Sequence, residues 1–145
     1  MTTSTTTHRT TNTLAPVAIG VTLATLALDA FGIWGYGTTD DDAPLQMLVT
    51  GALTVAAAAV VFGLVLPRAF RKDTTGRTGL VLSILALIVA VPLFWAGVAP
   101  ILAVGGIVAG RADRGRAATA AFVVGILALI GCLGTYAGDW LSQVL

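Results

Sequence analysis

Four long apolar runs, at residues 14–34, 45–66, 80–110 and 117–136, carry most of the chain, and short polar or basic segments part them. A helix rises about 1.5 Å per residue, so the first two runs would each reach about 32 Å, enough for a hydrocarbon core of roughly 30 Å. The first is longer than the apolar core of a secretory signal. Leu28-Asp29-Ala30 is also a poor small-x-small cleavage site, so this run reads as an uncleaved span. Pro67 is expected to end the second run, because proline cannot continue the backbone ladder. The last run reads as a third span.

The remaining run is too long for one ordinary span. It holds 31 residues without a charge, and as a single helix it would measure about 46 Å. PLFWAGVAP, residues 92–100, stands in its middle. Two prolines and a glycine so close together are punctuation rather than helix interior. Charge decides between crossing once and folding back. If the run crosses once, Arg111, Arg114 and Arg116 fall opposite Arg68, Arg71, Lys72 and Arg77, against the positive-inside rule. If it turns near residues 95–99, all 8 Lys and Arg residues, Arg9 included, share one side. Asp40, Asp41, Asp42 and Asp139 then lie on the other. Trp34, Tyr36, Phe94, Trp95, Tyr136 and Trp140 would gather at that second interface, where amphipathic rings sit.

The predicted fold is therefore all-α and polytopic, with three full spans plus a short Pro-punctuated helical hairpin, five helices in all. Each arm of the hairpin has about 14 or 15 residues, or about 22 Å. So short a hairpin needs a locally thinned bilayer or shielding by neighbouring helices. Residues 1–13 are a Thr-rich tail with nothing to bury and read as disordered. Residues 14–72 form an N-terminal two-helix transmembrane hairpin, and residues 77–145 a C-terminal transmembrane unit of about three helices.

Composition agrees. Hydrophobic residues make up 57% of the chain and charged residues only 10%, against about 25% charged in soluble domains. A net charge of +1 does not itself argue about nucleic acid, and no nucleic-acid partner is expected. Glu is absent, and Arg greatly outnumbers Lys, a bias typical of GC-rich bacterial coding sequences. The expected location is a bacterial cytoplasmic membrane, with the N-terminus and the basic loops inside.

From Pro100 onward the chain reads PILAVGGIVAGR, then a short basic turn with glycine, then RAATAAFVVGILALI. This resembles a family of small bacterial polytopic membrane domains of unknown function, over roughly residues 79–138. The matching positions are Pro100, Gly106, Gly110, Arg111, Arg114, Gly115, Arg116, Ala118 and Gly125; residues 119–122 depart from the usual Ala-Gly step. The resemblance implies the short hairpin and no chemistry.

Catalytic constellations are missing from the sequence. His8, the single histidine, lies in the Thr-rich tail, and Cys132, the single cysteine, lies in an apolar run. Neither a Ser/His/Asp set nor a Cys-based zinc site can be built from them. There is no phosphate-binding Gly-rich loop followed by Lys-Ser or Lys-Thr, and no HExxH. No catalytic, cofactor or metal residue is expected. Arg68, Arg71, Lys72, Arg77, Arg111, Arg114 and Arg116 could contact lipid headgroups or a partner, each worth about 1 kcal/mol near an anionic surface, or could simply set orientation. Asp29 is the one acidic or basic residue inside a span, where a charge costs roughly 2.5 to 3.5 kcal/mol. It lies about 22 Å along from Leu14, where it is expected to reach interfacial water; the alternative is a buried functional carboxylate. Gly106 with Gly110, Ala121 with Gly125, and Gly134 with Gly138 each place small residues on one helix face, as an internal contact or an oligomer seam. The sequence favours a non-enzymatic helical interaction or scaffold module. Its partners would be the bilayer, other membrane proteins or further copies of itself. The alternative is a subunit of a small oligomeric transporter or channel.

Overall fold

A computed structural model describes residues 5–34, 42–90, 92 and 96–145. Among the described residues there are five helices and no strand: α1 Thr5–Trp34, α2 Ala43–Arg71, α3 Thr75–Ala90, α4 Val98–Ala112 and α5 Arg116–Val144. Helices α1, α2 and α5 are long and apolar enough to cross a membrane. Helices α3 and α4 have 16 and 15 residues and are the two arms of the expected hairpin. Tyr36, Phe94 and Trp95 of the expected aromatic belt, and Asp40 and Asp41 of the acidic loop, lie outside the described residues.

The long uncharged run folds back, as the charge balance requires. Helix α3 ends at Ala90 and α4 begins at Val98, so Val98 and Ala99 of the expected turn are already helical. Gly97 precedes α4 with φ 64, a left-handed backbone that favours glycine. Pro100 occupies the first turn of α4, where a missing N–H removes no ladder bond. At the opposite end the Gly76 N–H donates to Asp113 Oδ2 at 3.1 Å, which satisfies one of the orphan donors opening α3. That bond also sets residues 68–77 beside residues 111–116. The seven basic residues of these segments are all exposed, at one end of the bundle.

Three boundaries differ from expectation. Helix α2 passes through Pro67 and ends at Arg71. Ala59–Val65 is wound as a π-helix, and the N–H of Leu66 reaches back to the Val61 carbonyl. Widening the ladder just before the proline absorbs both its missing donor and its ring, so the helix survives. The helix instead stops in a Schellman motif. Asp73 adopts φ 54, and the Thr74 N–H donates to the Ala69 carbonyl at 3.1 Å. Helix α1 begins at Thr5, inside the segment expected to be disordered. A helix nucleated on the apolar run extends at the cost of one residue per hydrogen bond, and threonine only mildly opposes it. Helix α5 likewise continues beyond Tyr136 to Val144.

Small residues determine how the helices pack. Helices α3, α4 and α5 form a close three-helix unit, and α1 and α2 both lean on α4. Helix α4 is the centre of the bundle: Ile101, Ala103 and Ala109 are fully buried. It is too short to span a bilayer core alone, and its neighbours shield it on all sides. Ser83 Oγ donates to the Ala121 carbonyl at 2.7 Å, tying α3 to α5. Gly79, Gly106, Gly110 and Gly125 leave no room for a side chain. Large apolar residues face the other way. Ile19, Leu48, Ile88, Leu127 and Ile130 expose most of their surface. Soluble monomers rarely present apolar surface on this scale, whereas lipid offers it no penalty and leaves close packing of small residues to hold the helices together.

Candidate functional site

Three polar pairs, each spaced one helical turn apart, converge at the end of the bundle away from the basic loops. Residues i and i+4 share a helix face, so α1 presents Thr25 with Asp29, α2 presents Thr50 with Thr54, and α5 presents Cys132 with Tyr136. The turn before α4 adds Ala96 and Gly97. Thr25, Asp29, Thr50, Thr54 and Cys132 are all buried. Thr25 and Thr50 satisfy themselves locally, donating to the carbonyls of Val21 at 2.8 Å and Gln46 at 3.0 Å. Thr54 instead reaches across to the Ala96 carbonyl at 3.4 Å.

Asp29 sits in the middle of this cluster with only 5% of its surface exposed. The expectation that it reaches interfacial water is therefore overturned. Its position along α1 allowed that, but α2, α5 and the α3–α4 turn close over it. Tyr136 donates its hydroxyl to Asp29 Oδ1 at 3.1 Å. The other oxygen, Oδ2, is buried with no hydrogen-bond partner among the described residues. Thr54 faces the carboxyl as well, while its hydroxyl bonds to the Ala96 carbonyl at 3.4 Å. Gly97 completes the enclosure. A Cβ there would meet Thr54 Oγ1, and would lie 2.9 Å from both Asp29 Oδ2 and Thr25 Cγ2.

An unsatisfied buried polar atom costs about 1 to 3 kcal/mol, and acidic side chains are rare within apolar spans because they are expensive there. Asparagine has nearly the same shape as aspartate and could still accept from Tyr136, so the packing does not itself demand a titratable carboxyl. Cys132 lies one turn from Tyr136 and packs with Ala90 and Ala99. It is a free thiol in apolar surroundings. No group of three His, Cys, Asp or Glu residues that could hold a metal occurs among the described residues.

The other sequence candidates stand apart from this cluster. The basic residues flank the opposite end of the bundle and do not meet Asp29. Gly106, Gly110, Ala121 and Gly125 are used inside the three-helix unit, whereas Gly134 and Gly138 face open space. A groove of about 560 Å³ between α1 and α2, lined by Leu14, Ala18, Thr22, Phe62 and Pro67 among others, is almost wholly apolar and offers no reactive group. Sequence reading missed Tyr136 as a partner of Asp29, having placed its ring at the interface for its amphipathic character. The repeated four-residue spacing of polar residues in three apolar helices was the available signal. No family model, no curated protein and no solved structure matches the chain.

Proposed function

We propose that this chain is a non-enzymatic integral protein of a bacterial cytoplasmic membrane that binds a small cation, the proton included, at Asp29. It would serve as a subunit of a small transporter or channel. The N-terminus and both basic segments lie in the cytoplasm, where Arg68, Arg71, Lys72, Arg77, Arg111, Arg114 and Arg116 meet anionic headgroups and fix orientation. The observation that carries the transport reading is the buried Asp29 carboxyl, bonded on one oxygen and unsatisfied on the other. A structural module gains nothing from such a group, whereas an ion path needs a carboxyl that can change partners.

The test is flux. Purified protein is reconstituted in liposomes under separate H⁺, Na⁺ and K⁺ gradients. Wild type should dissipate at least one of them, and Asp29→Asn should fall to the empty-liposome rate. The interaction-module reading has one observation in its favour, the open face of α5 at Gly131, Gly134 and Gly138, which suits a second helix. It requires wild type and Asp29→Asn both to sit at the empty-liposome rate.

A further inference from the structure

Resting on the reading of Asp29 as the working group, we propose that its ligand is a proton, held on Oδ2 and donated to Thr54 Oγ1. Two observations point to a proton rather than a metal cation. The first is hydrogen-bond accounting. Tyr136 already donates to Oδ1, and Thr54 gives its single proton to the Ala96 carbonyl. The oxygen of Thr54 therefore has a lone pair to spare. Among the described residues, Oδ2 has no hydrogen-bond partner. A hydrogen on Oδ2 turns that orphan acceptor into a donor facing the Thr54 oxygen and completes an ordered chain. Tyr136 donates to Oδ1, Oδ2 donates to Thr54, and Thr54 donates to Ala96. The second observation is space. Gly97 fills the volume over the carboxyl so closely that even one added carbon would collide with Thr54, Asp29 and Thr25. A metal cation needs several oxygens arranged around it at more than 2 Å. A proton needs no volume.

Release balances simply. The proton leaves Oδ2 for water and the carboxyl becomes a carboxylate. The Thr54 hydroxyl then turns its own proton from the Ala96 carbonyl to Oδ2. The turn before α4 loses its tie to α2, so occupancy of Asp29 is linked to the attachment of the α3–α4 turn. Among the described residues, the groups facing Asp29 are Thr25 on its own helix, Thr54 on α2, Tyr136 and Cys132 on α5, and Ala96 and Gly97 in the turn. None of them is basic, and a proton neutralises the carboxyl without one.

Infrared spectroscopy of the full chain in lipid reads this directly. Over a pH titration within the range of unchanged helix content, wild type should show a carboxylic-acid carbonyl band that is absent from Asp29→Asn. Tyr136→Phe should move that band to higher frequency, because it removes the hydrogen bond on Oδ1. Thr54→Val should shift it too, by removing the acceptor. These two variants keep the test open if Asp29→Asn folds poorly. A spectrum with no Asp29 acid band at any such pH would overturn the proposal, as would a band that added Na⁺ removes at constant pH. The two readings fail separately. A band without flux keeps the proton site and removes the transporter, and flux without a band removes the proton site alone.

Discussion

Gly110→Leu is expected to prevent stable assembly of the three-helix unit, while Gly134→Leu leaves it intact. The two glycines occupy equivalent-looking sequence, each in an apolar helix with small residues one turn away. Their surroundings differ. A Cβ on Gly110 would lie 2.7 Å from the Ala118 carbonyl oxygen and 2.8 Å from the Phe122 nitrogen. Those are backbone atoms of α5 and cannot rotate aside. Only separation of α4 from α5 relieves the overlap, and α4 is the helix on which every other helix rests. Overpacking of this kind costs about 1 to 3 kcal/mol for a modest insertion and more when a backbone blocks it. A Cβ on Gly134 meets nothing within 4 Å, so leucine there clashes with nothing and, by replacing a helix-interior glycine, stabilises if anything, by up to about 1 kcal/mol. Thermal unfolding of both variants in the same detergent checks the contrast. Equal melting temperatures for the two would contradict the packing described for α4.

Gly97→Val carries the second large effect, and it strikes the site as well as the fold. The left-handed backbone at φ 64 costs an L-residue roughly 1 to 2 kcal/mol, and β-branching makes it worse. The added carbons also enter the space held by Thr54, Asp29 and Thr25. Together these terms amount to about 2 to 5 kcal/mol. Gly97→Ala should lose less, and combining it with Thr54→Ala should recover part of the loss. The recovered part is the coupling energy of a double-mutant cycle, and it isolates the contact with Thr54 from the backbone penalty. Additive losses would mean that Gly97 does not close over the carboxyl.

The number and order of helices were legible in the sequence because they follow from two physical constraints, the length of apolar runs and the side on which arginine and lysine accumulate. The fold-back of residues 80–110 is the clearest case. Two prolines marked where helix could not continue, and Arg111, Arg114 and Arg116 required the chain to return. Pro67 misled, since the rule that proline ends a helix assumes a fixed i to i−4 ladder. The π-helical turn of Ala59–Val65 shows that the ladder can widen instead. The Thr-rich start misled as well, because composition reports what a segment can bury and not whether a neighbouring helix can extend into it.

The site was half legible. Asp29 stood out by its cost in an apolar helix. Its burial did not, because that depends on a partner 107 residues away and on a turn whose backbone lies over it. Distance along α1 says how deep Asp29 sits and nothing about which neighbours cover it. The same limit applied to Gly106 and Gly134, identical in sequence character and opposite in environment.

The whole site depends on the fold-back, because only then do the turn before α4 and the second half of α5 arrive at the level of Asp29. If the five helices alternate in direction across the membrane, as proposed, the two ends of the chain lie on opposite sides of it. Reporters fused separately before Met1 and after Leu145, one active only in the cytoplasm and one only outside it, read this directly. The N-terminus should report cytoplasmic and the C-terminus external. Both termini on the same side would contradict the hairpin and, with it, the carboxyl site.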